Sequence, residues 1–142
     1  MSHSATTVYM GSHKSNVMDS DSWPAVEATF KAGLCVHLDD DGTPLSLASA
    51  DGSKLGISLG RSLSDMGRVT VARRGLLIPI LLTNGFTPVV GAQVQISTTT
   101  GMAVSSGTAV NAVYRSAVLT AYDEDGVAIA DGAALIDFPG GL

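Results

Sequence analysis

The strongest constraint on the fold is a recurring pattern: a short run of alternating apolar residues, then a turn that contains glycine. GLCVHL (33–38) puts Leu34, Val36 and Leu38 on one side of an extended chain, and Cys35 and His37 on the other. PLSLASA (44–50) aligns Leu45, Leu47 and Ser49, and KLGISLG (54–60) aligns Leu55, Ile57 and Leu59. RVTVARRG (68–75) continues the alternation through Val69 and Val71. LLIPILL (76–82), AQVQIST (92–98), MAVSS (102–106), AVYRSAVLTAY (112–122), GVAIA (126–130) and ALIDF (134–138) follow. Turn signals separate them at Asp39–Gly42, Asp51-Gly52, Asn84-Gly85, Thr100-Gly101, Asp125-Gly126 and Asp131-Gly132. A period of two with Asp-Gly and Asn-Gly links predicts an all-β fold, a small β-barrel or β-sandwich. At most one short helix is expected, over SLSDMG (62–67), where Ser62 and Asp65 have the spacing of a helix-start box. Pro79 cannot donate to a ladder, so its strand should be an edge or carry a bulge.

Composition points the same way. Glycine occurs 16 times, and the only glutamates are Glu27 and Glu124, so strong helix formers are scarce among the polar residues. With 142 residues the chain is long enough for one self-sufficient core, expected over 25–142. Mean hydropathy is +0.30 and charged residues make up only 15%, which leaves apolar surface for a partner. Residues 1–24 differ: rich in Ser, Thr, His and Asp, they show no stable period and cannot close a core alone. They read as an extended N-terminal arm, ordered against a neighbour or floppy. Its isolated large side chains, Val8, Tyr9, Met10, Val17, Met18 and Trp23, are the candidate partner-binding residues, because such groups anchor segments to other proteins.

The search for chemistry returns no catalytic, metal-binding or cofactor-binding residue. Net charge is −5, and the one basic pair, Arg73-Arg74, lacks interleaved aromatics, so nucleic acid is not an expected partner. A lone Cys35 excludes an internal disulfide and reads as a small buried hydrophobe in a reducing compartment. The most apolar run, 76–82, is far shorter than the roughly 20 residues a membrane helix needs. MSHSATTVYMGSHKSN has no apolar h-region, so export by a signal peptide is not expected. The acidic clusters Asp39-Asp40-Asp41-Gly42 and Asp123-Glu124-Asp125-Gly126 lack the later glutamate of a calcium loop, and adjacent acids on a strand diverge. Both read as turn tips. His3, His13 and His37 have no zinc spacing, although His37 could share a strand face with Asp39. GISLG (56–60) satisfies the nucleophile-elbow pattern at Ser58, but no histidine follows it and its surroundings read as antiparallel strands. A carbohydrate-binding module would need more aromatic faces than one Trp and three Tyr supply.

The stretch FKAGLCVHLDDDGTPLSLASADGSKLGISLGRSLSDMGRVTVARRGLLIPILL (30–82) resembles the start of small phage capsid decoration (cement) proteins. The likeness lies in a G-x-x-V strand, an acidic turn, an alanine- and serine-rich strand, G-x-x-L-G-I-x-L-G, and a V-x-V-A-x-x-G-hydrophobic segment. It extends over about 28–142, leaves the arm outside, and carries over no functional residue. The resemblance implies a β-rich virion protein on the capsid exterior, assembled in the host cytoplasm. Its partners would be the major capsid protein and copies of itself, as a homotrimer. Another phage virion component, a tail tube or spike module, is the alternative expectation.

Overall fold

In the computed structural model the described residues are 7–11, 16–24, 31–37, 46–47, 55–60 and 68–139. They are all-β, without a helix. The strands are β1 (Val8–Tyr9), β2 (Asn16–Pro24), β3 (Cys35–His37), β4 (Ser46–Leu47), β5 (Leu55–Ser58), β6 (Arg68–Leu81), β7 (Gln93–Ile96), β8 (Thr108–Tyr114), β9 (Leu119–Tyr122) and β10 (Ala128–Phe138). They form one mixed sheet with the path β1-β9-β10-β6-β5-β3-β4, while β2 joins β6, β8 joins β10, and β7 joins β8. Only β1 and β9 run parallel among these pairs.

Residue parity along the central strands separates two cores. On β6, Ala72, Ile78 and Ile80 enter one apolar cluster, while Val69, Val71 and Leu81 enter the other. β10 divides the same way, with Ala134, Ile136 and Phe138 on one side and Ala133 and Leu135 on the other. In β3, Cys35 faces the first cluster and Val36 the second. Successive strand side chains point to opposite faces, so a strand covered on both must be apolar at consecutive positions. This accounts for the unbroken run Ile78–Leu82. The first core is closed by Leu55 and Ile57, Val94 and Ile96, and Val110, Ala112 and Tyr114. The second is closed by Val8, Met10, Leu119 and Ala121.

Several sequence expectations change. Segments 68–75 and 76–82 are one 14-residue strand, β6, which passes from β2 and β5 to β10 near Gly75. Segments 126–130 and 134–138 are also one strand. Asp131-Gly132 forms a bulge within it, since Ile129 pairs with Ala121 and Ala133 pairs with Leu119. Conversely, 112–122 is divided between β8 and β9 at 115–118. Pro79 lies opposite Leu135, and β6 carries the expected bulge close by, where its register against β10 shifts between Gly75 and Ile78. The Pro79 nitrogen shares a side with that of Leu81, whose N–H goes to the Gly33 carbonyl rather than to β10. The missing donor therefore costs no β10 ladder bond. The expected helix at 62–67 and the turns at Asp39–Gly42 and Asp51-Gly52 lie outside the described residues.

Residues of the expected N-terminal arm pair with this same chain: Val8 opposite Ala121, and β2 antiparallel to β6 from Asn16↔Leu76 to Pro24↔Arg68. Ordering them costs backbone entropy, about 1–2 kcal/mol per residue. Sheet hydrogen bonds and burial of Val8 and Met10 offset that cost.

Gly132 has φ 68°, and a Cβ there would stand 2.5 Å from the Leu119 carbonyl oxygen. Gly85 has φ 79° with open space around it. Gly85→Ala is expected to lose only the left-handed backbone cost, about 1–2 kcal/mol, whereas Gly132→Ala should lose distinctly more in urea unfolding. Equal losses would show that the close approach carries no weight.

Candidate functional site

The residues expected to bind a partner do not form one site. Val8 and Met10 are buried in the second core, and the Met10 N–H donates to the Tyr122 carbonyl at 2.9 Å. Gly33 allows that packing: it has φ 89°, and a Cβ there would lie 2.3 Å from the Met10 Cε. Between the two, Tyr9 turns outward, 53% exposed, and stacks on Tyr122 with ring centroids 5.4 Å apart. Val17 and Met18 lie on β2, Met18 59% exposed. The Trp23 backbone pairs with Val69, farther along the same strand. The outward members thus occupy two separate places, one beside β9 and one beside β6.

The place beside β6 is a corner that several strands build together. Gly75 has Val17 opposite it on β2 and Phe138 opposite it on β10. Pairing shifts register there on both neighbours, between Val17 and Asp19 and between Ile136 and Phe138. Leu77 has φ 55°, the one described non-glycine residue in the left-handed region. For a bulky side chain this conformation costs on the order of 1–3 kcal/mol. Asp137 stabilises it: one carboxylate oxygen accepts the Leu77 N–H at 3.1 Å, and the other pairs with Arg115 at 2.6 Å. The result is two consecutive exposed leucines, Leu76 at 40% and Leu77 at 38%. Val113, opposite Asp137, is also exposed. The alternating pattern gave no sign of this corner, because LLIPILL reads as uniformly core-forming.

The second acidic cluster is a turn, as its Asp-Gly ending suggests. Asp123 Oδ1 accepts the N–H groups of Asp125 at 2.8 Å and Val127 at 2.9 Å, and Gly126, with φ 82°, donates to the Asp123 carbonyl. Beside it lies a cavity of about 420 Å³, whose floor includes Met10, Leu81, Met102 and Ile129 and whose rim includes Lys31, Asp123, Glu124 and Asp131. Glu124 Oε1 accepts the Ala32 N–H at 3.2 Å, which ties the rim to the loop before β3. Among the described residues no group of His, Cys, Asp and Glu is arranged to hold a metal ion.

The nucleophile candidates have structural roles. Ser58 is buried on an antiparallel strand, not at a strand-to-helix turn. Its Oγ accepts the Leu34 N–H at 3.0 Å and donates to the Lys31 carbonyl at 2.5 Å. Its backbone binds the same segment, through Gly33 N–H to Ser58 O and Ser58 N–H to Leu34 O. Ser58 is a clamp on residues 31–34. Cys35 is buried, and desolvation pushes its thiol up to about 12, which leaves it protonated and unreactive at neutral pH. The Tyr114 hydroxyl, in the first core, is pushed up to about 12 by the same cause.

No protein-family model, curated protein or solved structure matches this chain.

Burial of the neutral thiol gives a pH signature. Cys35 in the unfolded chain ionises near its ordinary 9.0, and in the folded chain only near 12. Stability is therefore full below 9.0 and falls as pH rises toward 12. Unfolding free energy is expected to follow that slope in the native chain and to fall less steeply in Cys35→Ala. Identical slopes would mean that Cys35 ionises as readily folded as unfolded.

Proposed function

We propose that this chain is a structural component of a phage virion: a capsid decoration (cement) protein on the outer face of the head. It bridges neighbouring major capsid subunits and stabilises the shell. The observation that carries this reading is the set of large apolar side chains held outward on an all-β frame, Tyr9, Met18, Leu76 and Leu77 among them. The sequence resemblance over 28–142 supports it, as does the engagement of Ser58 and Cys35 in packing rather than chemistry. The role assigned is binding without catalysis and without a cofactor.

The mechanism is avidity. The protein acts as a homo-oligomer, a homotrimer in the simplest case, so that each subunit engages one capsid neighbour. Once the first contact forms, the later ones are intramolecular, which raises overall affinity by ~10²–10⁴ without new contacts. A rigid frame suits this role, because little side-chain or loop ordering then opposes binding.

A second reading is favoured by one observation. The nine-residue β2 is paired along one side only, with β6, among the described residues. An open edge of that length suits a tail tube or spike module, in which the next subunit continues the sheet.

Co-sedimentation with expanded heads, followed by micrographs, tests both. The purified chain is expected to bind head exteriors, and Tyr9→Ser combined with Met18→Ser to weaken binding about tenfold or more, the equivalent of at least ~1.4 kcal/mol. These exposed positions are preferable to removal of 1–24, which would also take Val8 and Met10 out of the core. Tubes formed by the isolated chain would favour the second reading, and absence from particles altogether would reject both.

A further inference from the structure

We infer that Asn84-Gly85 is a self-modification site: the Asn84 side chain cyclises onto the Gly85 nitrogen, loses ammonia and becomes a mixture of aspartate and isoaspartate without an enzyme. The inference is independent of the virion reading above.

The two residues are the middle of a tight turn, closed by the Phe86 N–H, which donates to the Thr83 carbonyl at 3.0 Å. Both are exposed. Gly85, not Asn84, has the positive φ, 79°, as in a type II turn. A Cβ built on Gly85 would meet nothing within 4 Å. Among the described residues, nothing hydrogen-bonds the N–H or C=O of the peptide between them, or the Asn84 carboxamide. This central peptide can therefore rotate without breaking the bond that closes the turn, and no side chain at position 85 resists the rotation.

Rotation brings the Gly85 nitrogen onto the Asn84 Cγ. A bond forms between them as the nitrogen gives up its proton to solvent. The Cγ–Nδ2 bond breaks, and Nδ2 leaves as ammonia. Water then opens the resulting succinimide ring at either carbonyl. Addition at Cγ releases the Gly85 nitrogen from that carbon and leaves aspartate. Addition at the backbone carbonyl leaves the chain running through Cγ, which is isoaspartate. One water is consumed, one ammonia is released, and nothing is oxidised or reduced.

The chain supplies its own comparisons. The other asparagines, Asn16 and Asn111, lie in β2 and β8 and precede Val17 and Ala112, so strand geometry and a following side chain both oppose the attack. The described Asp-Gly pairs are also held. Gly126 donates its N–H to the Asp123 carbonyl at 3.0 Å, and Gly132 is wedged against Leu119, whose carbonyl oxygen would lie 2.5 Å from an added Cβ. Conversion at Asn84 adds a carboxylate to a chain of net charge −5. As isoaspartate it also adds a backbone carbon to the turn that leads into Phe86, whose ring packs 5.9 Å from that of Tyr114.

Prolonged incubation of the full folded chain at neutral and mildly alkaline pH, with peptide mapping by mass spectrometry, tests the inference. The peptide containing Asn84 is expected to change from amide to acid and to split into two chromatographic forms. Only one of these, the isoaspartate, should accept a methyl group from an isoaspartyl methyltransferase. Conversion should be faster at the higher pH, and about tenfold or more faster than at Asn16 or Asn111. Gly85→Ala is expected to slow it by about tenfold or more, because the methyl group crowds the attack and disfavours the positive φ. Asn84→Gln, which would need a larger ring, should keep its amide throughout with the fold unchanged. An Asn84 amide that lasts as long as those of Asn16 and Asn111 overturns the inference, as does conversion seen only after unfolding in urea. Conversion equally fast in Gly85→Ala, or yielding aspartate alone, would mean direct hydrolysis and would also overturn it.

Discussion

Burial of the central strands on both faces is the constraint from which the rest of the structure follows. A sheet with one wet face needs apolar residues only at alternate positions. Here β6 and β10 supply them at consecutive positions, so each strand contributes to two cores at once. A doubly covered centre must have material on either side. One cover is the β7–β8 ribbon with Val94, Ile96, Val110, Ala112 and Tyr114. The other includes β1 and β9, with the loop before β3 clamped in place by Ser58.

That arrangement determines what remains available for function. Three polar side chains tie distant segments together: Ser58 holds residues 31–34, Glu124 holds Ala32, and Asp137 holds the Leu77 corner. The Ser58 hydroxyl is engaged as both acceptor and donor with residues 31–34, and the buried Cys35 thiol remains protonated. The surface keeps apolar side chains at several places, among them the corner where Leu77 holds a left-handed backbone.

Much of the fold was legible in the residues, and the illegible part has a physical cause. Alternation correctly grouped Leu55, Ile57 and Leu59, and it put Cys35 and Val36 on opposite faces. It cannot report whether the second face is covered, because that depends on segments distant in the chain. The apolar residues of 1–24 were therefore read as anchors for another protein, while Val8 and Met10 pack in this chain's own second core. Glycine signals were ambiguous for a related reason. A positive φ serves a hairpin tip at Gly126 and a bulge inside a long strand at Gly132, and local sequence is similar in both. The exposed pair Leu76-Leu77 was invisible, since nothing in LLIPILL marks where core gives way to surface.

The central claim is that residues 8–10 belong to the interior of this chain and complete the second core. Native-state hydrogen exchange read residue by residue tests it most directly. The account predicts that the Met10 amide, bonded to the Tyr122 carbonyl, is protected to a similar degree as the β9–β10 amides it packs beside. Exchange at Met10 as fast as in an unstructured peptide, with β9 and β10 still protected, would contradict it.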